Sequence, residues 1–386
     1  MWSEQSKRNF RPYILSFSIK NTIFAVYYPL NKHFSIMGNY RLCYITRNYR
    51  GVEGSGNKAK TDNEDTLVEM GAVNLGLRRT FHDNKALKFI LDLAGVIRYC
   101  FALRKGDIVV LQYPVKKYFA FLCRVAHLRG AKVVTLIHDL GSMRRKKLTI
   151  AQEISRLMHA DYVIASNDVM RQWLDKHGFT HHLGALGLFD YRSKTTHQEK
   201  KGTEVPKERS IVYAGALAMR KNAFILQLPD VIKGYKMHIY GNRSGLPELK
   251  ESDRLIFHDF MPADQFIQGV EGDFGFVWDG DSVDSCTGNF GEYLLYNSPH
   301  KVSFYLRAGM PIIIWEEAAL AKLVEEEGIG FGIGSIKQLN TRLASITEEQ
   351  MAAMRDNVRR VSDTLTHGGF FRKALEEALD KLTMGK

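Results

Sequence analysis

The residues with the clearest chemical potential lie in the second half of the chain, where short apolar runs typical of buried strands end in glycine, amide and basic side chains. The carboxyl ends of parallel strands and the first turns of helices meet at one edge of a doubly wound sheet. Backbone amides with Lys and Arg side chains can bind a diphosphate there without a metal ion. The predicted site consists of Gly215, Arg220, Lys221, Gly241, Asn242, Asn297, His300 and Lys301.

Two of these residues, His300 and Lys301, follow a helix start at residues 297–299, where Asn or Ser can cap and Pro fits the first helical position. Positive side chains in a first turn oppose the helix dipole, so a bound anion is a good reason for them. Any one of these charges could equally be a solvated surface charge. Their coincidence at several strand ends and helix starts favours a binding site.

In the first half of the chain, His138 and Asp139 follow a predicted strand at 132–137. An imidazole or a carboxylate at this edge could take a proton from an acceptor hydroxyl. The alternative is a histidine that satisfies buried backbone at a strand end. A basic run follows at 144–147, which could contact a membrane surface or an acceptor phosphate, or could be a solvated turn.

A glycine-rich loop follows the first predicted strand, 41–46, and precedes a helix expected to open at 61–64. Such a turn suits the close approach of a ligand, although it matches neither the dinucleotide-binding nor the P-loop pattern. A mobile surface loop is the alternative. The residues that we expect to lie over the donor or acceptor are Gly54, Ser55, Gly56, Asn57 and Lys58.

The elements that must position these residues alternate between strands and helices, which predicts βαβ units and parallel sheets. A polar stretch near 189–209 interrupts the pattern, which then restarts. The predicted fold class is therefore α/β with two Rossmann-like, doubly wound domains facing a central cleft. The predicted domains are 37–190 for the acceptor, a linker 191–208, 209–365 for the nucleotide, and a helix at 366–386 that could cross back to the first domain.

The 386 residues carry a formal net charge of +12, which suits an anionic partner such as a nucleotide, nucleic acid or a membrane surface. The four cysteines form no CxxC pair, and His181 and His182 do not have metal-ligand spacing, so no metal site is predicted. Residues 1–36 are basic with split apolar patches and make a poor signal peptide. We expect the folded protein to begin near Met37, with a poorly ordered extension, or an artefact of start-codon choice, before it.

Several short segments together resemble the GT-B nucleotide-sugar glycosyltransferases, and more closely the bacterial group that contains the glucosyltransferases of serine-rich adhesins and related β-1,6-galactofuranosyltransferases. The segments are GSGNKA at 54–59, IHDL at 137–140 with Arg144, ADYVIASN at 160–167, FDY at 189–191, YAG at 213–215 and NSPHK at 297–301. The resemblance implies two Rossmann-like domains with a UDP-sugar between them, bound mainly by the second, and no need for a divalent metal.

We therefore expect a cytoplasmic, metal-independent hexosyltransferase without a cofactor. It would move galactofuranose or glucose from a UDP-sugar to a hydroxyl of a glycan, lipid-linked or glycoprotein acceptor in cell-surface polysaccharide or glycoprotein synthesis. His138 or Asp139 would be the base, while Lys221, His300 and Lys301 would hold the leaving diphosphate. The basic surface fits a peripheral contact with the inner face of the cell membrane.

Other functions stay open on the sequence. One is a non-catalytic nucleotide-sugar-binding subunit of a glycosyltransferase complex, and another is an epimerase on the same fold. Nucleic acid is not an expected partner, because no nucleic-acid-binding motif occurs and the basic residues are scattered. The sequence leaves open the sugar, the stereochemical outcome, the acceptor and whether the chain forms a homo-oligomer.

Overall fold

The computed structural model describes residues 40–49, 55–114, 118–144, 146–198 and 208–384. The expectations for residues 1–36, and for Gly54 of the glycine-rich loop, lie outside the described residues. Within the described part of the chain, none of the helices has the length and apolar character that crossing a membrane requires.

A parallel six-stranded sheet forms the centre of the first lobe, with the strand order β2-β1-β3-β4-β5-β6. The strands at residues 108–113, 132–137 and 162–165 are mostly apolar and rich in β-branched residues, as in strands that are buried on both faces. The strands are β1 (Leu42–Tyr44), β2 (Val73–Asn74), β3 (Ile108–Tyr113), β4 (Lys132–Ile137), β5 (Tyr162–Ala165) and β6 (His182–Ala185).

Helices cover both faces of this sheet. Asn84 caps the second helix through the backbone N–H groups of Ala86 and Leu87, and Thr149 caps the fifth in a capping box with Gln152. The helices of this lobe are α1 (Ser55–Glu69), α2 (Lys85–Ala102), α3 (Phe119–Leu128), α4 (Gly141–Arg144), α5 (Ile150–Leu157) and α6 (Asp168–Lys176).

The second lobe repeats the architecture with a parallel sheet of order β12-β11-β10-β7-β8-β9. Its central strands are continuous buried apolar runs, which is why the sequence identifies them well. The strands are β7 (Arg209–Ala214), β8 (Tyr235–Tyr240), β9 (Leu255–His258), β10 (Phe274–Val277), β11 (Ile312–Trp315) and β12 (Gly330–Ile333).

The helices of the second lobe are shorter, apart from the last two of the chain. Five single turns of 3-10 helix supplement them, at Ala223–Gln227, Arg243–Gly245, Glu292–Leu295, Ile336–Gln338 and Leu343–Ser345. The helices are α7 (Met219–Asn222), α8 (Leu228–Val231), α9 (Ala263–Gly269), α10 (Gly288–Gly291), α11 (His300–Arg307), α12 (Ala321–Glu326), α13 (Leu339–Arg342), α14 (Glu348–Thr366) and α15 (Gly369–Thr383).

The helical tail bends at Gly368, which divides it into α14 and α15. Gly368 has a φ of +71°, a left-handed conformation that glycine adopts without steric cost. After this turn α15 packs against α1, β5 and β6, and its apolar side chains belong to the same core cluster as Val110 and Val134 of the first sheet. The chain therefore completes the first lobe with its last described helix.

The segment between the lobes departs from the expected polar linker at its beginning. Phe189, Asp190 and Tyr191 are all buried. The Asp190 carboxylate accepts hydrogen bonds from the backbone N–H groups of Phe370 (3.2 Å) and Phe371 (2.8 Å), at the start of α15. Burial raises the pKa of Asp190 to about 7. The rest of the predicted linker includes residues 199–207, which lie outside the described part of the chain.

Candidate active site

The second lobe presents a charged cluster at the carboxyl edge of its sheet, built around Asp279. This carboxylate follows β10 and accepts a hydrogen bond from the Tyr213 hydroxyl at 3.2 Å. The Lys221 ammonium lies 3.4 Å from one of its oxygens, and the Lys301 ammonium 3.7 Å from the other. Two lysines thus share one carboxylate, which leaves net positive charge at this edge when both are protonated.

Lys301 has unusual surroundings for a lysine. Its side chain is only 17% exposed, and its Nζ is buried without a hydrogen-bond partner. The Nζ lies 3.8 Å from the centroid of the Tyr213 ring, whose π face attracts a cation. Burial, and next the neighbouring Lys221, lower the pKa of Lys301 to about 7. An ammonium in this position lacks the acceptor that its three N–H groups require.

Gly215 is placed directly against Lys301. It has a φ of +152°, and a Cβ on this residue would lie 3.1 Å from Cε of Lys301. A side chain at this position would therefore be strained and would crowd the lysine. Gly241 follows β8 beside it, and a Cβ there would lie 2.5 Å from the carbonyl oxygen of Gly215. Because these two residues have no side chains, a ligand can approach the backbone closely at this edge of the sheet.

The structure distributes the other predicted diphosphate residues around this cluster. Arg220 is exposed, with its guanidinium 5.4 Å from the centroid of the Phe290 ring. Asn242 is exposed, and its side chain accepts from the backbone N–H of Ser244 at 2.9 Å. The Oδ1 atom of Asn297 is buried without a hydrogen-bond partner. Asn297 therefore adds a second orphaned polar atom near the start of α11.

Contrary to the expectation of a positive side chain, His300 is neutral. Its Nε2 atom lies 3.1 Å from the backbone oxygen of Asp190, and its ring stacks on Tyr191 with centroids 4.9 Å apart. Burial lowers the pKa of His300 to about 4. Lys301 is therefore the basic residue in the first turn of α11 whose charge would oppose the helix dipole, whereas His300 belongs to the junction between the lobes.

The expected cap of α11 is also different. Pro299 occupies the cap position and makes no side-chain cap hydrogen bond. Ser298 instead donates from its hydroxyl to the first lobe, at 2.8 Å from the Ser166 carbonyl oxygen, and lies 3.0 Å from that of Gly187. Asn167 of the first lobe donates to the Ser298 hydroxyl at 3.0 Å. The residues before α11 thus join the lobes.

In the first lobe, His138 lies at the carboxyl edge of the sheet, where β4 ends. Its Nε2 lies 2.8 Å from Oε1 of Gln112, which also accepts from Asn63 at 3.0 Å. The Gln112 amide nitrogen donates to the backbone oxygen of Lys60, so the network assigns a proton to Nε2 of His138. Burial, with nearby Lys60 and Arg47, lowers the pKa of His138 well below its usual range.

Asp139 is placed differently from its neighbour, because its carboxylate forms an ion pair with Arg144. Both side chains are partly exposed. The other residues of the basic run are Lys146 and Lys147, whereas Arg145 lies outside the described residues. The structure thus brings His138 to the cleft edge as a neutral imidazole and gives Asp139 a cationic partner.

The predicted glycine-rich loop is partly helical, because α1 begins at Ser55 and not near residue 61. Gly56, Asn57 and Lys58 therefore occupy its first turn. Lys58 forms an ion pair with Asp62 one turn later and donates to the backbone oxygen of Arg192. Its Nζ lies 4.9 Å from the Tyr191 ring centroid. Lys58 thus ties α1 to the segment between the lobes.

The two edges meet across the ring of Phe189. His138 stacks on one side of this ring with centroids 4.9 Å apart, and His300 meets it edge-on at 6.3 Å. Nearby, the Tyr293 hydroxyl of the second lobe accepts a hydrogen bond from the backbone N–H of Leu140 at 2.9 Å. The junction therefore holds the predicted base and the start of α11 on the same side of the molecule.

Sequence reasoning missed four residues of these networks. Asp279 follows a buried strand, and a carboxylate at that place was an available signal. Tyr213 lies in the YAG segment of the resemblance without an assigned role, and no local pattern distinguished Gln112 or Asn63. Among the described residues, no group of three or more His, Cys, Asp and Glu side chains is placed to hold a metal ion.

Two parallel, doubly wound sheets in two lobes, with the predicted site residues at their carboxyl edges, fit the two-domain GT-B fold. Solved structures share this fold. The lipopolysaccharide outer core galactosyltransferase WaaB in its apo form matches with a TM-score of 0.57 at 14% identity, over 88% of this chain and 99% of that one. A glycosyltransferase from Rickettsia africae matches with a TM-score of 0.55 at 10% identity, over 90% of this chain and 100% of that one.

The chain belongs to the glucosyltransferase 3-like family, whose N-terminal domain matches residues 42–188 and whose C-terminal domain matches residues 211–378. It is 31% identical over 296 residues to β-1,6-galactofuranosyltransferase WbbI of Escherichia coli K12, covering 76% of this chain and 85% of that protein. It is 24% identical over 354 residues to glucosyltransferase 3 of Streptococcus parasanguinis, covering 87% and 97% of the two chains. The resemblance seen in the sequence is confirmed.

Proposed function

We propose that this glycosyltransferase moves a hexose from a UDP-sugar to a hydroxyl of a glycan acceptor. The observation that carries the proposal is the buried Lys301 ammonium, which has no hydrogen-bond partner although Lys221 and Asp279 lie close to it. A diphosphate would supply the missing acceptor oxygens and the negative charge that two lysines around one carboxylate call for.

In this proposal the diphosphate lies against Lys301 and Lys221, with the backbone at Gly215 and Gly241 beneath it and the amino end of α11 beside it. As the bond between the sugar carbon and the diphosphate oxygen breaks, negative charge grows on the leaving UDP. The two ammonium groups are already in place at that point, so they stabilise this charge with little reorganisation. They supply the positive charge for which other enzymes use a divalent cation, and we propose that none is required here.

We propose His138, and not Asp139, as the base. The network around Gln112 assigns the proton to Nε2 of His138, so Nδ1 carries the lone pair. The acceptor oxygen would form its bond to the sugar carbon while its proton passes to Nδ1. The Asp139 carboxylate is engaged in an ion pair with Arg144, so His138 is the better candidate to take this proton. Gln112 would hold the imidazole in the required orientation.

The names of the relatives guide the choice of sugar and acceptor. One relative is a β-1,6-galactofuranosyltransferase and others are glucosyltransferases, so UDP-galactofuranose and UDP-glucose are the donors to try first. We place the reaction in cell-surface polysaccharide or glycoprotein synthesis on the cytoplasmic side of the membrane. The four cysteines are free, three of them buried, which is compatible with a reducing compartment.

Thermal unfolding with UDP, GDP, ADP and dTDP, each with and without EDTA, tests the donor site. A ligand that binds only the folded protein stabilises it by about 2.7 kcal/mol at a hundredfold excess over Kd. We expect a rise in Tm with UDP alone that EDTA leaves unchanged. A loss of the rise with EDTA would contradict metal independence, and no rise with any nucleotide would contradict the site itself.

Turnover then separates catalysis from binding alone. The protein is incubated with UDP-galactofuranose or UDP-glucose and a panel of glycan acceptors, and released UDP is measured together with the glycosylated product. We expect acceptor-dependent UDP release with one donor. Tight UDP binding without release of UDP from any donor would instead favour a non-catalytic subunit, and an isomeric UDP-sugar formed without acceptor would indicate an epimerase.

A further inference from the structure

Half of the large apolar side chains that are exposed in the described part of the chain lie on α2 and α3 of the first lobe. Eight large apolar side chains are exposed there, and we call them the α2–α3 face. They are Leu87, Phe89, Ile90, Leu93, Ile97 and Phe101 of α2, with Phe121 and Leu128 of α3. Isolated exposed apolar side chains are ordinary, but a contiguous set on one face indicates a partner.

The spacing of these residues makes the face continuous. Positions 90, 93, 97 and 101 recur every three or four residues, so they form one stripe along α2. Gly95, Val96 and Tyr99 are buried on another side of the helix, so the stripe is additional to the side that packs on the sheet. Ile90 is 60% exposed, Phe101 78% and Leu128 of α3 86%. Core packing does not account for such residues.

An apolar groove continues the face between the two helices. Its volume is about 320 Å³, and it is lined by Leu93, Val96, Ile97, Cys100, Tyr118 and Phe121. The accessible surface of this groove is apolar, which fits hydrocarbon better than a peptide or a sugar.

The charges on and beside these helices have one predominant sign. The described residues from 85 to 130 include seven basic and only two acidic side chains. The two acids are each paired, Asp92 with Lys88 and Asp107 with Arg41. Six of the seven cations have no carboxylate partner among the described residues, although Arg98 donates to the backbone oxygen of Gly76. They are Lys85, Arg98, Arg104, Lys105, Arg124 and Arg129. Lys85 precedes Phe89 by four residues and Arg124 follows Phe121 by three, so both lie on the exposed face.

We propose that the α2–α3 face docks the protein on an anionic lipid bilayer, with the apolar stripe entering the interface and the cations contacting the lipid phosphates. A helix with an apolar face, a basic border and no ability to span lies in the interfacial plane. The proposal does not depend on the donor site. The occupant is a bilayer and not a second copy, because a two-fold contact through this face would place the same cations against one another.

The orientation that results is favourable for a transferase. Lys88 of α2 donates to the backbone oxygen of Asn48, and the backbone N–H of Asn48 donates to Asp92 at 3.2 Å. Asn48 follows β1, at the carboxyl edge of the sheet that also carries His138. The amino end of α2 is thus fixed to the rim of the cleft, and docking along α2 would bring that rim to the lipid surface.

Cosedimentation of the full chain with vesicles tests the proposal. We expect at least about tenfold tighter binding to phosphatidylcholine vesicles that contain about 30% phosphatidylglycerol than to pure phosphatidylcholine, and weaker binding at high salt. Phe101→Asp should weaken binding about tenfold, whereas Phe260→Asp, a matched change at a 59% exposed phenylalanine of the second lobe, should leave it unchanged. Lys85→Glu with Arg124→Glu should remove the preference for anionic lipid.

Each control has a defined meaning. Circular dichroism and the UDP-induced rise in Tm show that each variant is folded, and the vesicle result stands whether or not UDP binds. Equal or absent binding of the wild-type chain to the two vesicle types would overturn the proposal, as would equal losses in the Phe101 and Phe260 variants. A dimer in analytical ultracentrifugation that Phe101→Asp dissociates, together with no vesicle binding, would assign the face to self-association instead.

Discussion

The two carboxyl edges that face each other in this protein are built on opposite electrostatic principles. At the second-lobe edge, two lysines surround Asp279, and one ammonium is buried without an acceptor. At the first-lobe edge, His138 is neutral and engaged with Gln112, which is itself bonded to Asn63 and to the backbone of Lys60. At the second-lobe edge an ammonium therefore lacks an acceptor. At the first-lobe edge the hydrogen bonds around Gln112 are satisfied, and the Nδ1 lone pair of His138 is left to accept a proton.

This difference follows from the chemistry that each edge is proposed to perform. A diphosphate brings its own oxygens and charge, so a site that binds it must keep donors unsatisfied until it arrives. A proton acceptor has to be neutral and correctly oriented before it takes the proton, which requires a fixed hydrogen bond on one nitrogen. If the proposed function holds, we expect an orphaned polar atom to mark the donor edge and a fixed imidazole tautomer to mark the acceptor edge.

The largest expected effect comes from removing the orphaned ammonium. Lys301→Met keeps the length of the side chain and its contact with the Tyr213 ring but eliminates the charge. We expect kcat/KM to fall about 1000-fold, because a preorganised donor to the leaving group typically contributes 100- to 1000-fold. The UDP-induced rise in Tm should be lost as well. Lys322→Met, at an exposed lysine of α12, is the matched control and should change neither quantity. Full activity of Lys301→Met would refute the assignment of the diphosphate site.

A smaller effect, confined to the other edge, is expected from His138→Asn. The asparagine can still hydrogen-bond with Gln112 but cannot accept the proton, so kcat should fall about 100-fold. UDP should raise the Tm of this variant as in the wild type, which separates the two edges experimentally. His367→Asn, at an exposed histidine directly after α14, serves as the control. If UDP binding fell together with kcat, His138 would belong to the donor site, and the proposed division of roles between the two edges would be wrong.

The smallest effect is a pH dependence of donor affinity. In the protein without ligand, burial and Lys221 lower the pKa of Lys301 to about 7, so this side chain loses its proton and its charge as pH rises through 7. A bound diphosphate favours the charged form, so binding takes up a proton above that pKa and weakens with rising pH. Between pH 6 and pH 8 we expect Kd for UDP-glucose to increase about tenfold. UDP-glucose is the probe because its esterified diphosphate does not titrate in this range.

Asp279→Asn provides a second test of whether Lys301 titrates when the donor binds. The carboxylate raises the pKa of Lys301 against the effects of burial and Lys221, so its removal should move the midpoint of the pH dependence to lower pH. Isothermal titration calorimetry at several pH values measures both the midpoint and the proton uptake. An affinity that is independent of pH in both proteins would show that Lys301 does not titrate on binding.

The sequence predicts the central strands of both sheets, as at residues 132–137, because they are continuous apolar runs. It failed where a residue serves a distant part of the chain. Ser298 looked like a local cap, but its hydroxyl bonds to the first lobe. His300 looked like a cation, but burial at the junction keeps it neutral. Lys301 was assigned from position alone, and only the structure shows why it lacks an acceptor.

The return of α15 to the first lobe has a consequence for the order in which the protein can be made. The face of the first sheet that contains Val110 and Val134 is covered in part by α15, whose start is held by Asp190. During synthesis α15 leaves the ribosome after every other described element. The first lobe therefore cannot complete its fold, and part of one apolar sheet face stays exposed, until the second lobe and α15 have been translated. Neither half is expected to be soluble when expressed alone, whereas the first half should be rescued by coexpression with a fragment that carries α15.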